Sequence, residues 1–151
     1  MRCLGLDVGS SSINGAVLDL ETSQVSHIVK EPFSDPIGGL PPGFHEVDPE
    51  EIYTRALGVI DRLNVQAPDA TVLLSCGQMG GIMLVDRKLR AVTNYLSWRD
   101  QRTMIADADG TTTLERLRNC WPDTVFEELG KELKPGSATS SRPFSIGVSE
   151  N

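Results

Sequence analysis

The sequence predicts a mixed α/β domain, and three features of the chain lead to that prediction. Residues 2–29 contain short apolar runs separated by turn residues, which is typical of an antiparallel meander. A helical spacing of apolar residues follows at 47–64, and an uninterrupted apolar run of strand length follows at 70–76. Antiparallel strands followed by a helix and a buried strand indicate one mixed α/β unit, the default for a chain of 151 residues.

The predicted meander consists of strands at 2–8, 13–20 and 25–29, with a Gly-Ser turn between the first two. Residues 31–49 are rich in proline and glycine. Proline lacks a backbone donor and glycine favours no single conformation, so this segment is predicted to be a long loop. Long loops in compact domains are often functional.

The helix predicted at 47–64 has start signals as well as an apolar face. Asp48 is a suitable N-cap, Pro49 suits the first helical position, and Glu51 completes a pattern resembling a capping box. The apolar face is formed by Ile52, Ala56, Ile60 and Leu63.

The rest of the chain alternates short elements with loops. Residues 70–76 are predicted to be a strand buried on both faces, with Cys76 as a small buried residue, and 80–86 a further strand. Helices are predicted at 111–121 and at 123–133, the second with Asp123 as N-cap and Gly130 near its end. Residues 134–151 read as loop.

Charge and cysteine usage exclude several classes of protein. The net charge of −7 and a pI near 4.8 argue against a nucleic-acid partner, because such proteins carry a basic face. The three cysteines have no CxxC spacing, which argues against a disulfide framework and against a zinc site. No signal peptide and no apolar run of about 18 residues is found, so we expect a cytoplasmic protein without a membrane partner.

Three consecutive serines follow the first predicted strand, in "LGLDVGSSSINGAVLDL". One interpretation is a plain hairpin turn built from small residues. The other is a loop whose amides and hydroxyls bind a phosphate, with Gly9 allowing a close approach and Asp7 holding Mg²⁺ through water. The segment alone does not decide between them.

Two later stretches favour a ligand site. "GQMGG" at 77–81 comes directly after a predicted buried strand, and ligands favour the ends of strands in such sheets. "SWRDQR" at 97–102 places an indole beside a carboxylate and two guanidinium groups. Trp98 could stack on an apolar sugar face while Asp100 accepts hydroxyl hydrogen bonds; a surface loop with an ion pair is the alternative.

Taken together, these stretches resemble the FGGY family of carbohydrate kinases. "GLDVGSSSINGAVLD" resembles the family's phosphate-binding hairpin, and "GFHEVDPEEIY" its Glu-x-Asp-Pro segment before the first helix. "SCGQMGGIMLVD" is similar to the Gly-Gln-Met-His-Gly stretch of the ketose kinases, and "WRDQRT" to a Trp-x-Asp-x-Arg sugar-binding motif. "LGKELKPGSATS" resembles a Gly-x-x-x-x-Pro-Gly segment, so the likeness spans essentially the whole chain.

The resemblance implies an actin-like, ribonuclease H-like α/β domain and ATP-dependent phosphorylation of a sugar or polyol hydroxyl. The residues expected to face the phosphates and Mg²⁺ are Asp7, Gly9, Ser10, Ser11 and Ser12. Those expected to line the sugar site are Gln78, Met79, Trp98, Asp100 and Arg102.

Three departures from the family pattern bear on function. Asn14 stands where many members have Lys or Arg, and Gly80 stands where the ketose kinases have a histidine that reaches the sugar. Family enzymes are also about three times longer, with ATP between two domains. Residues 1–151 are therefore expected to be part of the N-terminal, sugar-binding domain, without the C-terminal ATP-binding domain.

The expected general base of such an enzyme is an Asp beyond Asn151, so the chain alone is expected to be inactive. One hypothesis is that this is the N-terminal segment of a longer kinase of the xylulokinase or sedoheptulokinase type. The alternative is a truncated, non-catalytic module that binds sugar or phosphate or docks on a partner. The choice of sugar and a homo-oligomeric state are left open by the sequence.

Overall fold

The N-terminal strands form the predicted meander and are part of a mixed four-stranded sheet. The computed structural model describes residues 1–130 and 134–136, and its strands begin with β1 (Arg2–Val8), β2 (Ser12–Asp19) and β3 (Gln24–Pro32). The short β4 (Glu46–Val47) lies within the predicted loop, and β5 (Leu73–Gly77) follows the first helix. β2 pairs antiparallel with β1 and β3, while β5 pairs parallel with β1, which gives the order β3-β2-β1-β5.

The first helix, α1 (Pro49–Gln66), begins where its start signals predict. The Asp48 carboxylate accepts a hydrogen bond from the Glu50 amide at 2.9 Å, and Pro49 occupies the first turn. Asp48 thus caps the helix through Glu50 and not through a capping box with Glu51. At the other end the Ala67 amide donates to the Leu63 carbonyl.

One face of the sheet packs against α1 and forms the hydrophobic core. Val59 and Leu63 of the helix are buried against strand residues whose side chains alternate toward it. Gly15 makes this close approach possible, because a Cβ there would lie 2.5 Å from Val59 Cγ1 and 2.8 Å from Leu63 Cδ1. The buried cluster comprises Leu4, Leu6, Ile13, Val17, Val59, Leu63 and Ala67.

The opposite face of the sheet is open among the described residues. It carries an apolar hollow of about 440 Å³, and the large side chains around it are well exposed: Val25 (58%), Ile28 (75%) and Leu74 (54%). The prediction that 70–76 is a strand buried on both faces is therefore wrong. β5 is the edge strand of the sheet, all five of its residues are exposed, and Cys76 is exposed with them.

The chain divides into two compact units. The first combines Met1–Pro36 with Val47–Met79 and contains the four-stranded sheet and α1. The second combines Ile37–Glu46 with Gly80–Asn151. Its elements are β6 (Tyr95–Leu96), which pairs with β4, a 3-10 turn (Arg102–Met104), α2 (Thr113–Asn119) and α3 (Asp123–Leu129).

The two short helices of the second unit end at well-defined caps. Thr112 and Glu115 form a reciprocal capping box at the start of α2. The left-handed Gly130 ends α3, as predicted. Asp123 is the first residue of α3 and not its N-cap, because Pro122 occupies the cap position.

Residues 80–86 do not form the predicted strand. Isolated bridges pair Ile82 with Leu96 and Val85 with Ala91. Between Val85 and Ala91 the chain forms a turn at 86–89. Gly80 has a φ of +84°, which interrupts an extended backbone at its start. Residues 131–133 of the last predicted helix, and most of the predicted loop at 134–151, lie outside the described residues.

Among the described helices, none is long and apolar enough to cross a membrane.

Candidate functional site

The turn between β1 and β2 is a tight loop that requires glycine. Val8 lies opposite Ile13 in the register, and the Gly9 amide donates to the Ser12 carbonyl at 3.0 Å. A Cβ on residue 9 would lie 2.9 Å from that same carbonyl oxygen. The close approach of the backbone expected at Gly9 is therefore a feature of the turn itself.

The serines of this turn offer donors to a ligand. Ser11 is exposed and Ser10 is half-buried, and neither their amides nor their hydroxyls donate to another described residue. The Ser11 carbonyl is used, since it accepts from the Phe33 amide at 3.1 Å. Ser12 is already engaged, because its hydroxyl lies 3.2 Å from the Asn14 side-chain nitrogen. The free donors are of the type that bind phosphate oxygens.

Asp7 lies on the open face of the sheet, beside two neutral donors. Its carboxylate accepts from the Cys76 thiol at 3.4 Å and from the Asn14 amide at 3.5 Å. The hydrogen bond to Asp7, followed by burial, raises the pKa of the Cys76 thiol. Asp7 is exposed, so an oxygen ligand for a hydrated Mg²⁺ is accessible here.

Gln78 lies next to the serine turn because the carboxyl ends of β1 and β5 are adjacent. Its backbone amide donates to the Val8 carbonyl at 2.8 Å, and its side-chain Nε2 donates to the Gly9 carbonyl at 3.4 Å. A carbonyl can only accept, so Nε2 faces Gly9 and Oε1 faces away. That oxygen is buried without a partner among the described residues. Met79, next along the chain, is 88% exposed.

Trp98 is the exposed residue of the Trp-x-Asp-x-Arg motif, which lies in the second unit. The indole is 46% exposed, and the Arg99 guanidinium lies 5.5 Å from the centre of its ring. Gly80 lies against Trp98, since a Cβ on residue 80 would be 3.3 Å from Trp98 Cβ. Together with its φ of +84°, this contact makes position 80 unfavourable for any residue larger than glycine.

Asp100 and Arg102 form an ion pair in the interior of the second unit. Asp100 is fully buried, and Arg102 also contacts Glu46 at 2.5 Å and stacks on the Phe44 ring at 4.1 Å. Burial raises the pKa of the Asp100 carboxyl, but the hydrogen bonds from Arg102 and the His45 amide outweigh it and hold the pKa below its usual range. The roles of Phe44 and Glu46 were not predicted, although both lie in the "GFHEVDP" stretch.

The structure thus brings Gln78 to the serine turn in the first unit, and Asp100 to Arg102 in the second. That these residues bind phosphate, metal or sugar stays a prediction. Within residues 1–130 and 134–136, no group of three or more His, Cys, Asp or Glu side chains is placed to hold a metal ion.

Comparison with known proteins identifies a family. The model of the FGGY family of carbohydrate kinases, N-terminal domain, matches residues 2–140. A xylulose kinase from Staphylococcus xylosus is 26% identical over 133 residues, which cover 82% of this chain and 26% of that protein. This chain therefore spans about a quarter of the length of that relative.

Solved structures show the same fold. A xylulose kinase from Rhodospirillum rubrum matches with a TM-score of 0.67 and 21% identity, over 83% of this chain and 25% of that one. One from Brucella ovis matches with a TM-score of 0.66 and 23% identity, over 85% and 25%. The fold is that of sugar-kinase N-terminal domains, the actin-like, ribonuclease H-like α/β fold.

Proposed function

Because this chain belongs to the FGGY family of carbohydrate kinases, we propose that it is the N-terminal segment of a longer two-domain enzyme. That enzyme would transfer the γ-phosphoryl group of ATP to a hydroxyl of a sugar or polyol. The substrate we propose first is a ketopentose such as xylulose, because the relatives are named xylulose kinases. The C-terminal ATP-binding domain, with an Asp as general base, would lie beyond Asn151.

The observation that carries this proposal is the serine turn at the carboxyl ends of two parallel strands. β1 and β5 end side by side at Val8 and Gly77, and ligands bind at such ends in α/β sheets. The unused amides and hydroxyls of Ser10 and Ser11 are donors for phosphate oxygens.

Asp7 fits the role of a Mg²⁺ ligand. Mg²⁺ prefers oxygen and usually keeps several waters, so one accessible carboxylate suffices on the protein side. The two groups bonded to Asp7, Cys76 and Asn14, are neutral donors and leave its negative charge in place. The ion would supply charge neutralisation around the phosphates.

For the sugar we assign contacts separately in each unit. In the first unit, Gln78 Oε1 is a buried acceptor without a described partner, which suits a sugar hydroxyl, and Met79 offers an exposed apolar surface. In the second unit, the exposed indole of Trp98 suits the apolar face of a sugar ring or chain. Gly80 stands where the ketose kinases have a histidine that reaches the sugar. In this chain, that imidazole contact with the sugar must be made by another residue or be absent.

The direct test is release of ADP from ATP and Mg²⁺ by the protein extended to the length of its relatives. A panel of ketoses, aldoses and polyols, with D-xylulose first, should contain at least one substrate. The 151-residue chain alone should release none. Failure with every compound, while the extended protein remains folded, would overturn the kinase proposal.

A matched pair of variants tests the serine turn. Gly9→Ala places a methyl group against the Ser12 carbonyl, whereas a methyl at Gly38 meets nothing within 4 Å. We expect Gly9→Ala to lower kcat/KM for ATP by about a hundredfold or more, the order expected for losing positioned donors. Gly38→Ala should leave it unchanged.

Ligand-induced stabilisation of the short chain tests the binding-module alternative. Binding to the native state raises Tm by mass action. A rise in Tm with sugar, combined with no ADP release by any extended form, would favour a non-catalytic sugar-binding role. No shift with sugars or nucleotides would remove support for that role.

A further inference from the structure

The Asp100 carboxylate has no free acceptor position. Its Oδ1 accepts from the Arg102 amide at 3.1 Å and from Arg102 Nε at 2.8 Å. Its Oδ2 accepts from the His45 amide at 2.8 Å and from Arg102 Nη2 at 2.8 Å. A carboxylate has about four lone-pair sites, so a sugar hydroxyl could bond to Asp100 only by displacing one of these donors.

Arg102 is enclosed from three sides. Asp100 binds it in a forked geometry, Glu46 binds its Nη2 at 2.5 Å, and the Phe44 ring lies under its guanidinium. The Arg102 side chain is only 17% exposed, and that of Glu46 only 14%. A planar guanidinium suits such a bidentate and stacked position far better than a lysine would.

This cluster joins the turn that carries Trp98 to the segment 43–46. The Ser97 amide donates to the His45 carbonyl at 3.0 Å, and the Gln101 amide donates to the Gly43 carbonyl at 2.7 Å. Within the turn, the Asp100 amide donates to the Ser97 carbonyl at 3.0 Å. The turn is therefore fixed at both ends, and Trp98 lies between them with its ring half exposed.

We propose that Asp100 and Arg102 are positioning residues, which with Glu46 and Phe44 hold Trp98 in place to contact a ligand. The ligand class is a molecule with an apolar C–H face, such as a sugar or polyol, that packs on the indole. Asp100 makes no direct hydrogen bond to it. The ligand class rests on the kinase proposal, but the positioning of Trp98 does not, because it can be measured without any sugar.

The test follows the Trp98 signal in the full 151-residue chain. Trp98 and Trp121 are its two tryptophans, so Trp121→Phe leaves Trp98 as the sole reporter. In that background we compare Asp100→Asn, which keeps the shape of the side chain and removes its charge, with Asp109→Asn. Asp109 also pairs with an arginine, Arg116, but is exposed, and serves as the control.

Without sugar, Asp100→Asn should lose roughly half or more of the near-UV circular dichroism of Trp98, because fixed packing of the ring produces that signal. Quenching by acrylamide should increase in parallel, and Asp109→Asn should match the parent. A folded Asp100→Asn variant whose sugar-free spectrum and quenching equal the parent's would overturn the proposal. Far-UV circular dichroism and a cooperative melt establish folding.

Glu46→Gln is the second variant, in case Asp100→Asn fails to fold. It weakens one bond to Arg102 and leaves the Asp100 pair intact, so it should change the Trp98 signal in the same direction by a smaller amount. An unchanged signal in Glu46→Gln would also count against the proposal.

Titration with D-xylulose separates positioning from direct binding. If Asp100 bound the sugar itself, Asp100→Asn would keep the parent's sugar-free spectrum and lose only the sugar-induced change. ADP release by the protein extended to the length of its relatives decides the kinase proposal independently. A changed sugar-free spectrum of the 151-residue chain, with no ADP release by the extended protein, would keep the positioning role and reject the enzyme.

Discussion

At the scale of single residues, Gly15 sets how closely α1 approaches the sheet. It lies in the middle of β2, where a side chain would point at Val59 and Leu63. Both of these residues are fully buried, so neither can move aside without disturbing the core. The absence of a side chain at Gly15 is therefore what allows α1 to pack this close to the sheet.

Gly15→Ala should lower the free energy of unfolding by about 1–3 kcal/mol, the usual cost of overpacking a core. Urea denaturation monitored by circular dichroism measures it. Gly58→Ala is the control, because a methyl there meets nothing within 4 Å and alanine favours a helix interior. That control should gain up to about 1 kcal/mol. Equal effects at the two positions would contradict the packing argument.

Asp100 should make stability depend on pH in the acid range. Its folded pKa is lowered, so its contribution is complete above the ordinary Asp pKa of about 3.9 and is lost as the pH falls through the folded value. Asp100→Asn should cost about 2 kcal/mol at neutral pH, the order for hydrogen bonds to a charged group.

The gap in unfolding free energy between the parent and Asp100→Asn should therefore narrow as the pH falls from about 5 toward 2. Denaturant unfolding at a series of pH values measures this gap. A gap that stays constant over the series would show that the charge of Asp100 contributes nothing to stability.

At the scale of elements, α1 shows why some segments are predictable from sequence. Its start signal at Asp48 and Pro49 is local, and the helix begins there. The predicted apolar face is confirmed in part: Leu63 is buried and Ala56 and Ile60 pack against the core, but the fully buried Val59 was not predicted. The prediction for β5 failed for a physical reason: an uninterrupted apolar run fits a strand buried on both faces, but it does not specify which neighbours cover it. Only the sheet order shows that β5 is an edge.

The cap of α1 should contribute measurably to its stability. Asp48→Ala removes the acceptor for the Glu50 amide and should lower the free energy of unfolding by about 1 kcal/mol. Asp48→Ser should restore most of the loss, because serine is a comparable N-cap. Thermal or urea unfolding of the three proteins measures this, and no recovery with serine would argue against capping.

At the scale of the whole molecule, the sequence predicted the fold class and the residues near the serine turn. It did not predict the hydrogen-bond partners of those residues. Gln78 was assigned to the sugar by its motif, and its bond to the Gly9 carbonyl arises only because β1 and β5 pair in parallel. The enclosure of Arg102, the partner of Asp100, likewise depends on Phe44 and Glu46, which lie more than 50 residues earlier in the chain.

The open sheet face should make the chain self-associate. Large exposed apolar patches favour association, while the net charge of −7 opposes it at neutral pH. Light scattering should give a mass above 16.4 kDa that rises with concentration and rises further toward pH 4.8.

Val25→Thr should reduce this association, because threonine keeps the strand propensity and makes the open face more polar. Val92→Thr is the control, since Val92 is equally exposed (59%) but does not line the hollow. A monomer at every concentration, or the same effect from both variants, would contradict the assignment to this face.

The hydrogen bond between Cys76 and Asp7 also provides a built-in chemical reporter. A cation bound to Asp7 would neutralise the carboxylate that now raises the pKa of the Cys76 thiol. The pKa of Cys76 would fall, and Cys76 would be alkylated faster. Cys3 is buried, and the exposed Cys120 supplies a reference rate in the same sample. Mass spectrometry of alkylated peptides would thus follow the binding of a cation to Asp7 in the unmodified sequence, before any substrate is known.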